Sequence, residues 1–285
     1  MTLASRSIRK AFSLALAITL PLAAAAVFTG CGQSEEKTES ESKAEAEKKG
    51  AEDLRKGKAA YAIRDYKTAA MHFSLAAQDG NAEAQYMLST CFLNGYGVEK
   101  DKIEGIKWLR KAADQDFAKA LFMLAVFYSQ NDEDKAKPVA EKAVPGLKKA
   151  AEAGDAEAQL MLGSCYMDGY CVEKDKKEGV KWFRKAADQD LAQAQLMLGD
   201  CYLRGNGVEK EKKEGVKWVR KAADHGLAEA QLMLGDWYMN GDVVEKDLQE
   251  AKEWLEKAAK QGNESANVLL KELERELEED CPSRY

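Results

Sequence analysis

Histidine is scarce in this chain, and positive charge is not in excess. Among 285 residues there are two histidines, His72 and His225, far apart in the sequence. That leaves little from which to build a histidine-centred metal site or a nucleophile–histidine triad. Neither lies in an HExxH motif or beside a Cys/His cluster, so both read as solvated or half-buried side chains near second-helix surfaces. The formal charge of −6 excludes a basic nucleic-acid-binding surface as the main business of the molecule. Motifs for phosphate or acyl chemistry are also missing. The GxGV stretches (Gly95, Gly97, Val98 and Gly205, Gly207, Val208) follow helical rather than strand patterns, with no GK[ST] nearby, so glycine there serves a helix stop and a tight loop. Ser34-Glu35-Glu36-Lys37 and Ser40-Glu41-Ser42-Lys43 spell S-x-x-K, but no S-D-N or K-T-G accompanies them. Paired acids such as Glu173 and Asp175 recur from copy to copy and read as solvated loop charge. No metal site and no cofactor is expected. What is present is apolar content, 45% of residues, which excludes a wholly disordered chain and suffices for one large or two ordinary domains.

The N-terminus carries an address. Arg6, Arg9 and Lys10 precede an apolar run from Ala11 to Phe28, interrupted by Ser13, Thr19 and Pro21. The pattern is that of an export signal rather than a retained membrane helix. The run ends in Phe28-Thr29-Gly30-Cys31, which resembles a bacterial lipobox in Gly30 and Cys31 and departs from it at Phe28, where leucine is usual. The resemblance implies a lipoprotein signal peptide over 1–30 and lipidation of Cys31; a plain secretory signal with a chance cysteine is the alternative. Gln33 to Asp53 is polar and charged and cannot build a core, so 31–50 is expected to be an acylated cysteine on a flexible, charged tether. Gly32, where an aspartate would retain enterobacterial lipoproteins in the inner membrane, points by the same resemblance to the outer membrane, facing the periplasm or the cell exterior. Loss of residues 1–30 removes three cations, so the ectodomain is more acidic still and is not expected to spread on anionic lipid. The lipid would do the holding.

Self-similarity fills the remainder. Ala156–Leu191 and Ala192–Leu227 are each 36 residues long and identical at 26 positions. Ala82–Phe117, Ala118–Asp155 and Ala228–Asn263 share the pattern. Each copy opens on Ala-x-Ala, continues with Leu and Tyr on one broad helical face, stops at a glycine, and resumes with a Trp and a Lys-Ala-Ala segment. Ala192, Ala194, Leu198, Gly199, Tyr202, Gly205, Gly207 and Val208, with Trp218, Lys221, Ala222 and Ala223, are similar to the Sel1-like repeat, a relative of the tetratricopeptide repeat. The resemblance implies an all-α, right-handed α-solenoid of stacked helix-loop-helix units. The expected organisation is a degenerate helical repeat at 51–81, then repeats at 82–117, 118–155, 156–191, 192–227 and 228–263. A C-terminal capping helix and tail would occupy 264–285. Copy 118–155 diverges: Ser129-Gln130-Asn131-Asp132 replaces the glycine loop, Gly146 replaces Trp, and Pro145 is expected to kink the second helix or widen the spacing.

Six cysteines complete the inventory. Cys91, Cys165 and Cys201 share one repeat position beside an aromatic residue, where a small buried side chain fits. Exported relatives carry a bridge between the two helices of a unit, but Ala113, Ala187 and Ala223 stand where its second cysteine would be. Cys165 and Cys171 are the one local pair that can clip a helix end to its loop, while Cys281 is left over.

By likeness to tetratricopeptide solenoids, a partner would lie along the first helices, at the second, fifth, ninth and twelfth positions of each copy. Those candidates are Glu83, Tyr86, Thr90, Leu93, Phe122, Glu157, Leu160, Met167, Leu196, Asp200, Leu203, Glu229, Leu232, Asp236 and Met239: an apolar stripe with acidic neighbours. They suit an extended or helical peptide with apolar anchors and some positive charge, or else they complete packing between repeats. The functional expectation is a non-enzymatic, lipid-anchored interaction scaffold in the bacterial envelope. It would bind a protein or peptide along a concave groove, with membrane contact through the lipid and no nucleic acid. Homo-association is a further option. The alternative is a β-lactamase-like or penicillin-binding, cell-wall-acting enzyme, implied only by cysteine-rich Sel1-like relatives.

Overall fold

The computed structural model describes residues 34–130, 132–169 and 171–279, and among these there are thirteen helices and no strand. The lipobox and Cys31 lie outside the described residues, as does Cys281. In order, the helices are α1 (Ser34–Ala62), α2 (Tyr66–Gln78), α3 (Ala82–Asn94), α4 (Lys102–Asp114), α5 (Ala118–Ser129), α6 (Glu133–Glu152) and α7 (Ala156–Asp168). They continue with α8 (Lys176–Ala187), α9 (Ala192–Arg204), α10 (Lys212–Asp224), α11 (Ala228–Asn240), α12 (Leu248–Lys260) and α13 (Glu264–Glu279). They form two compact units, Met1–Gly146 and Leu147–Tyr285, each of stacked helical repeats. None of the described helices is long and apolar enough to cross a membrane.

Close approach is the rule within a repeat. The third residue of each first helix is a fully buried alanine: Ala84, Ala120, Ala158, Ala194 and Ala230. The eighth is glycine in three copies, and a Cβ on Gly163, Gly199 or Gly235 would come within 2.5–2.7 Å of Phe183, Val219 or Leu255 on the second helix. The reverse contact seats Leu93, Met167 and Leu203 on Gly105, Gly179 and Gly215. Each helix thus inserts one large side chain where the other has none, which brings the backbones together and fills the space between them. Gly57 receives the Phe73 ring in the same way between α1 and α2, so the degenerate first repeat packs like the rest.

A second device joins successive repeats. Gln85, Gln159, Gln195 and Gln231, the fourth residues of α3, α7, α9 and α11, are buried, Gln195 completely. Each Nε2 donates to a carbonyl in the last turn of the preceding second helix: Ala77, Ala151, Ala187 and Ala223, at 3.0–3.2 Å. Each Oε1 accepts from a side chain just past the following helix, namely Gln115, Gln189 and Gln261 at 2.8 Å and His225 at 2.9 Å. One amide therefore bridges three consecutive helices, adding a second donor to a carbonyl that already accepts a backbone N–H from the turn after its helix. His225 stands in for glutamine, and this role requires its Nδ1 to carry the proton.

One expectation is corrected. The segment expected to be a flexible tether is helical from Ser34 onward, because its Ala, Glu and Lys residues are strong helix formers even without an apolar face. The second helix of the divergent repeat, α6, runs through both Pro138 and Pro145. Both prolines are exposed, while Ala136, Ala140, Ala143, Leu147 and Ala151 keep an unbroken buried stripe, so packing on the inner side holds the helix despite the lost bonds on the outer side. At the other end, α13 keeps the buried Ala266 and Leu273 of a first helix but has Lys271 where three repeats have the close-contact glycine.

The second loop glycine has a distinct task. Gly97 and Gly207 hold φ of 72° and 75°, and a Cβ on either would overlap the backbone of Tyr66 or Lys176, the first residue of the preceding second helix. Gly207→Ala should lower stability by about 2–4 kcal/mol, because strain and overlap add. Gly154→Ala, at φ 96° with nothing within 4 Å, should cost only about 1 kcal/mol. Urea unfolding of the two variants measures the difference; equal losses would remove the loop-to-helix contact from the account.

Candidate functional site

The first-helix positions do not form one uniform surface. The twelfth-position residues Leu93, Met167 and Leu203 are the side chains seated on glycines of their own repeats, and Met239 is buried. Tyr86 is 4% and Leu196 2% exposed, so neither offers an anchor to a partner. For these six the packing role is what the structure shows. Leu160, Phe122 and Leu232 remain partly open.

The polar members differ equally. In the first unit, Glu83 pairs with Lys58 at 2.5 Å, and the Thr90 hydroxyl donates to the Tyr86 carbonyl of its own helix. In the second unit, Asp200 pairs with Arg204 at 2.5 Å, and Glu157 on α7 is partly buried. Glu229 and Asp236 on α11 are the exceptions. They stand seven residues apart with Leu232 between them, on one helical face. Neither has a lysine or arginine within 4.0 Å among the described residues. Burial pushes the Glu229 carboxyl above its usual range. Burial, with the charge of Asp242, does the same to Asp236 against an opposing hydrogen bond from Asn240. These are carboxylates that lose water on folding and gain no cation.

Among the described residues, one pair of cysteines is bonded. Cys165 and Cys171 are disulfide-bonded, with Cα atoms 5.6 Å apart. Cys171 occupies the position of Gly97 and Gly207, so the equivalent cysteines of the other copies, Cys91 and Cys201, have no such partner. Both are buried and free; burial raises the Cys91 thiol to about 11 and, with Asp200, the Cys201 thiol to about 12. Such thiols are poor nucleophiles at neutral pH. His72 joins the buried Asp53 at 2.9 Å, tying α2 to α1. No cluster of three or more metal-binding side chains occurs among the described residues.

The Sel1 repeat family model matches residues 54–81, 82–117, 118–155, 156–191, 192–227 and 228–263. The chain is a Sel1 repeat protein. A solved Sel1 repeat protein from Oxalobacter formigenes is 32% identical over 76% of this chain and 86% of its own, with a TM-score of 0.48. Chitin synthase regulatory factor 3 of Schizosaccharomyces pombe is 33% identical over 34% of this chain and 11% of its own length. DAP3-binding cell death enhancer 1 of Rattus norvegicus is 32% identical over 47% and 25%. The chain thus spans a quarter or less of these two curated relatives. Sel1 repeat proteins are typically non-enzymatic scaffolds for protein interaction.

The buried glutamines are the residues that motif reading overlooks. Their signal is nonetheless present: a polar residue recurring on a packed face, with Gln or His always thirty positions on.

The raised carboxyl groups have a pH consequence of definite sign. An acid whose folded-state pKa lies above its unfolded value favours folding when protonated and subtracts stability once the pH rises through the folded pKa. Glu229→Gln and Asp236→Asn should therefore each raise the thermal midpoint at pH 7 by about 2 °C. The gain should vanish in melts below about pH 4, where the wild-type carboxyls are protonated in both states. A destabilised variant at pH 7 would contradict the desolvation.

Proposed function

We propose that this Sel1 repeat protein is a lipid-anchored scaffold of the bacterial cell envelope, and that the first-helix face of its second unit receives a basic segment of a partner protein. Acylation of Cys31 would attach the chain to the membrane, and the helical segment that begins at Ser34 would carry the repeats away from it. The observation that supports the binding face is the pair Glu229 and Asp236. Both are desolvated and have no cation within 4.0 Å among the described residues. A lysine or arginine delivered by a partner would relieve that cost, with Leu232, between the two acids, giving apolar contact beside it. Discrimination then comes from charge on α11 and from the apolar side chains that the packing leaves open.

A pull-down from envelope extract with the full chain tests this reading. Leu196 is unsuitable as a probe because its substitution would disturb the core. Glu229→Gln and Asp236→Asn keep the size of the side chains and the packing of Leu232 against the core, and should keep the helical circular dichroism. Both should lose, by tenfold or more (about 1.4 kcal/mol), a protein that the wild type retains. Equal retention by the folded variants would move binding away from this face.

A further inference from the structure

The net charge of −6 conceals a segregation within the unit Leu147–Tyr285. α8 has five cations and one carboxylate, and α10 has five and two. α7 and α11 each have two carboxylates and no cation, while α13 has six glutamates against Lys271 and Arg275. α7, α11 and the terminal helix hold the negative charge, α8 and α10 hold the positive, and α9 and α12 carry equal numbers of each.

On α8 and α10 that charge is patterned. Lys177, Lys181 and Lys185 follow one another at four-residue spacing, as do Lys213, Lys217 and Lys221, and all six are exposed. Four residues advance a helix by about 6 Å and turn it by about 40°, so each trio forms one outward stripe. Trp218 of α10 shares a core cluster with Val180 and Phe183 of α8, which sets the two helices, and hence the two stripes, side by side. The pattern is not shared by every repeat. α4 begins the corresponding series with Ile103, and α12 begins it with Gln249 and Glu253.

The other groups on these helices are already engaged. Arg184 donates to the Tyr202 hydroxyl, and Arg220 to the Tyr238 hydroxyl and to Glu250 on α12. Lys185 and Lys221 lie 3.8 and 4.0 Å from the centres of the Trp182 and Trp218 rings and cover them. Lys181 and Lys217 contact Glu178 and Glu214 within their own helices. The face therefore offers point charges on flexible stems, without a free guanidinium fork or an uncovered aromatic ring.

We propose that the α8–α10 face rests on an anionic phospholipid surface. Protein interfaces are depleted in lysine and rely on aromatic and arginine anchors, which here are turned inward or covered. A plane of fixed headgroup charge needs no such anchors, because the contributions of separate lysines add and decay within a Debye length. Whole-chain charge argues against this contact; the segregation allows it, with the acidic first helices α7 and α11 belonging to a different face of their repeats. The inference does not depend on the partner site proposed for α11.

The full chain, incorporated in vesicles of phosphatidylcholine alone or with about one-third phosphatidylglycerol, can be acetylated briefly and its lysines quantified by mass spectrometry. Labelling of the six stripe lysines should fall about threefold or more on the anionic vesicles relative to Lys260 and Lys271, and should recover at about 0.5 M salt. The variant Lys177→Gln, Lys185→Gln, Lys213→Gln, Lys221→Gln, with unchanged circular dichroism, should lose the protection at Lys181 and Lys217. Equal labelling on both vesicles would overturn the proposal. Protection by soluble polyglutamate but not by vesicles would overturn the lipid assignment in favour of an acidic protein.

Discussion

A side-chain amide buried at the junction of three helices is the interaction on which the stacking depends. A solenoid must bury helix ends at every turn of the chain. Gln85, Gln159, Gln195 and Gln231 join those ends by donating backwards and accepting forwards in one side chain. Each lies one residue after the alanine that allows the closest helix approach. Apolar burial holds the helices near one another, but it is non-directional. The amide adds direction, because only one register brings the Ala187 carbonyl and the His225 ring to opposite ends of Gln195. The divergent copy has Leu121 at this position, and it is also the copy in which the chain divides into its two compact units.

The architecture was legible because it repeats. Ala82, Ala118, Ala156, Ala192 and Ala228, taken from the sequence as the starts of copies, are the first residues of α3, α5, α7, α9 and α11. The glycine stops at Gly95, Gly169, Gly205 and Gly241 cap those helices in the left-handed conformation, apart from the divergent copy. Composition was less informative wherever one property serves two outcomes. Residues 34–50 lack a core-forming face, which suggested a flexible tether, yet the same alanines, glutamates and lysines favour a helix. Pro145 suggested a kink or a wider spacing, and α6 runs through it as one helix over a buried alanine stripe.

The candidate site was legible in its location and not in its membership. A helical wheel separates the two sides of a first helix but does not show that the second helix wraps far enough to seat Leu203 on Gly215. Nor does it show that Leu196 is closed off while Leu160 and Leu232, its counterparts in neighbouring copies, stay partly open. The acids were found as a class; which of them lose water without gaining a cation depends on three-dimensional surroundings that no spacing encodes. Net charge averaged away the opposition between α8 and α10 on one side and α7, α11 and α13 on the other. These properties arise from neighbours distant in sequence, whereas the fold arises from a pattern that neighbours share.

The most direct test of this account is the stability of Gln195→Leu, which keeps side-chain volume and removes the hydrogen bonds to Ala187, Asp190 and His225. If the buried amide fixes the stack, urea unfolding should show a loss of about 1–3 kcal/mol with an unchanged dependence on denaturant. Hydrogen exchange should quicken at the ends of α8 and α10, where the Ala187 carbonyl loses its side-chain donor and the His225 ring its acceptor. A variant as stable as the wild type, or more so, would mean that apolar packing alone sets the junction and that the glutamines are incidental to it.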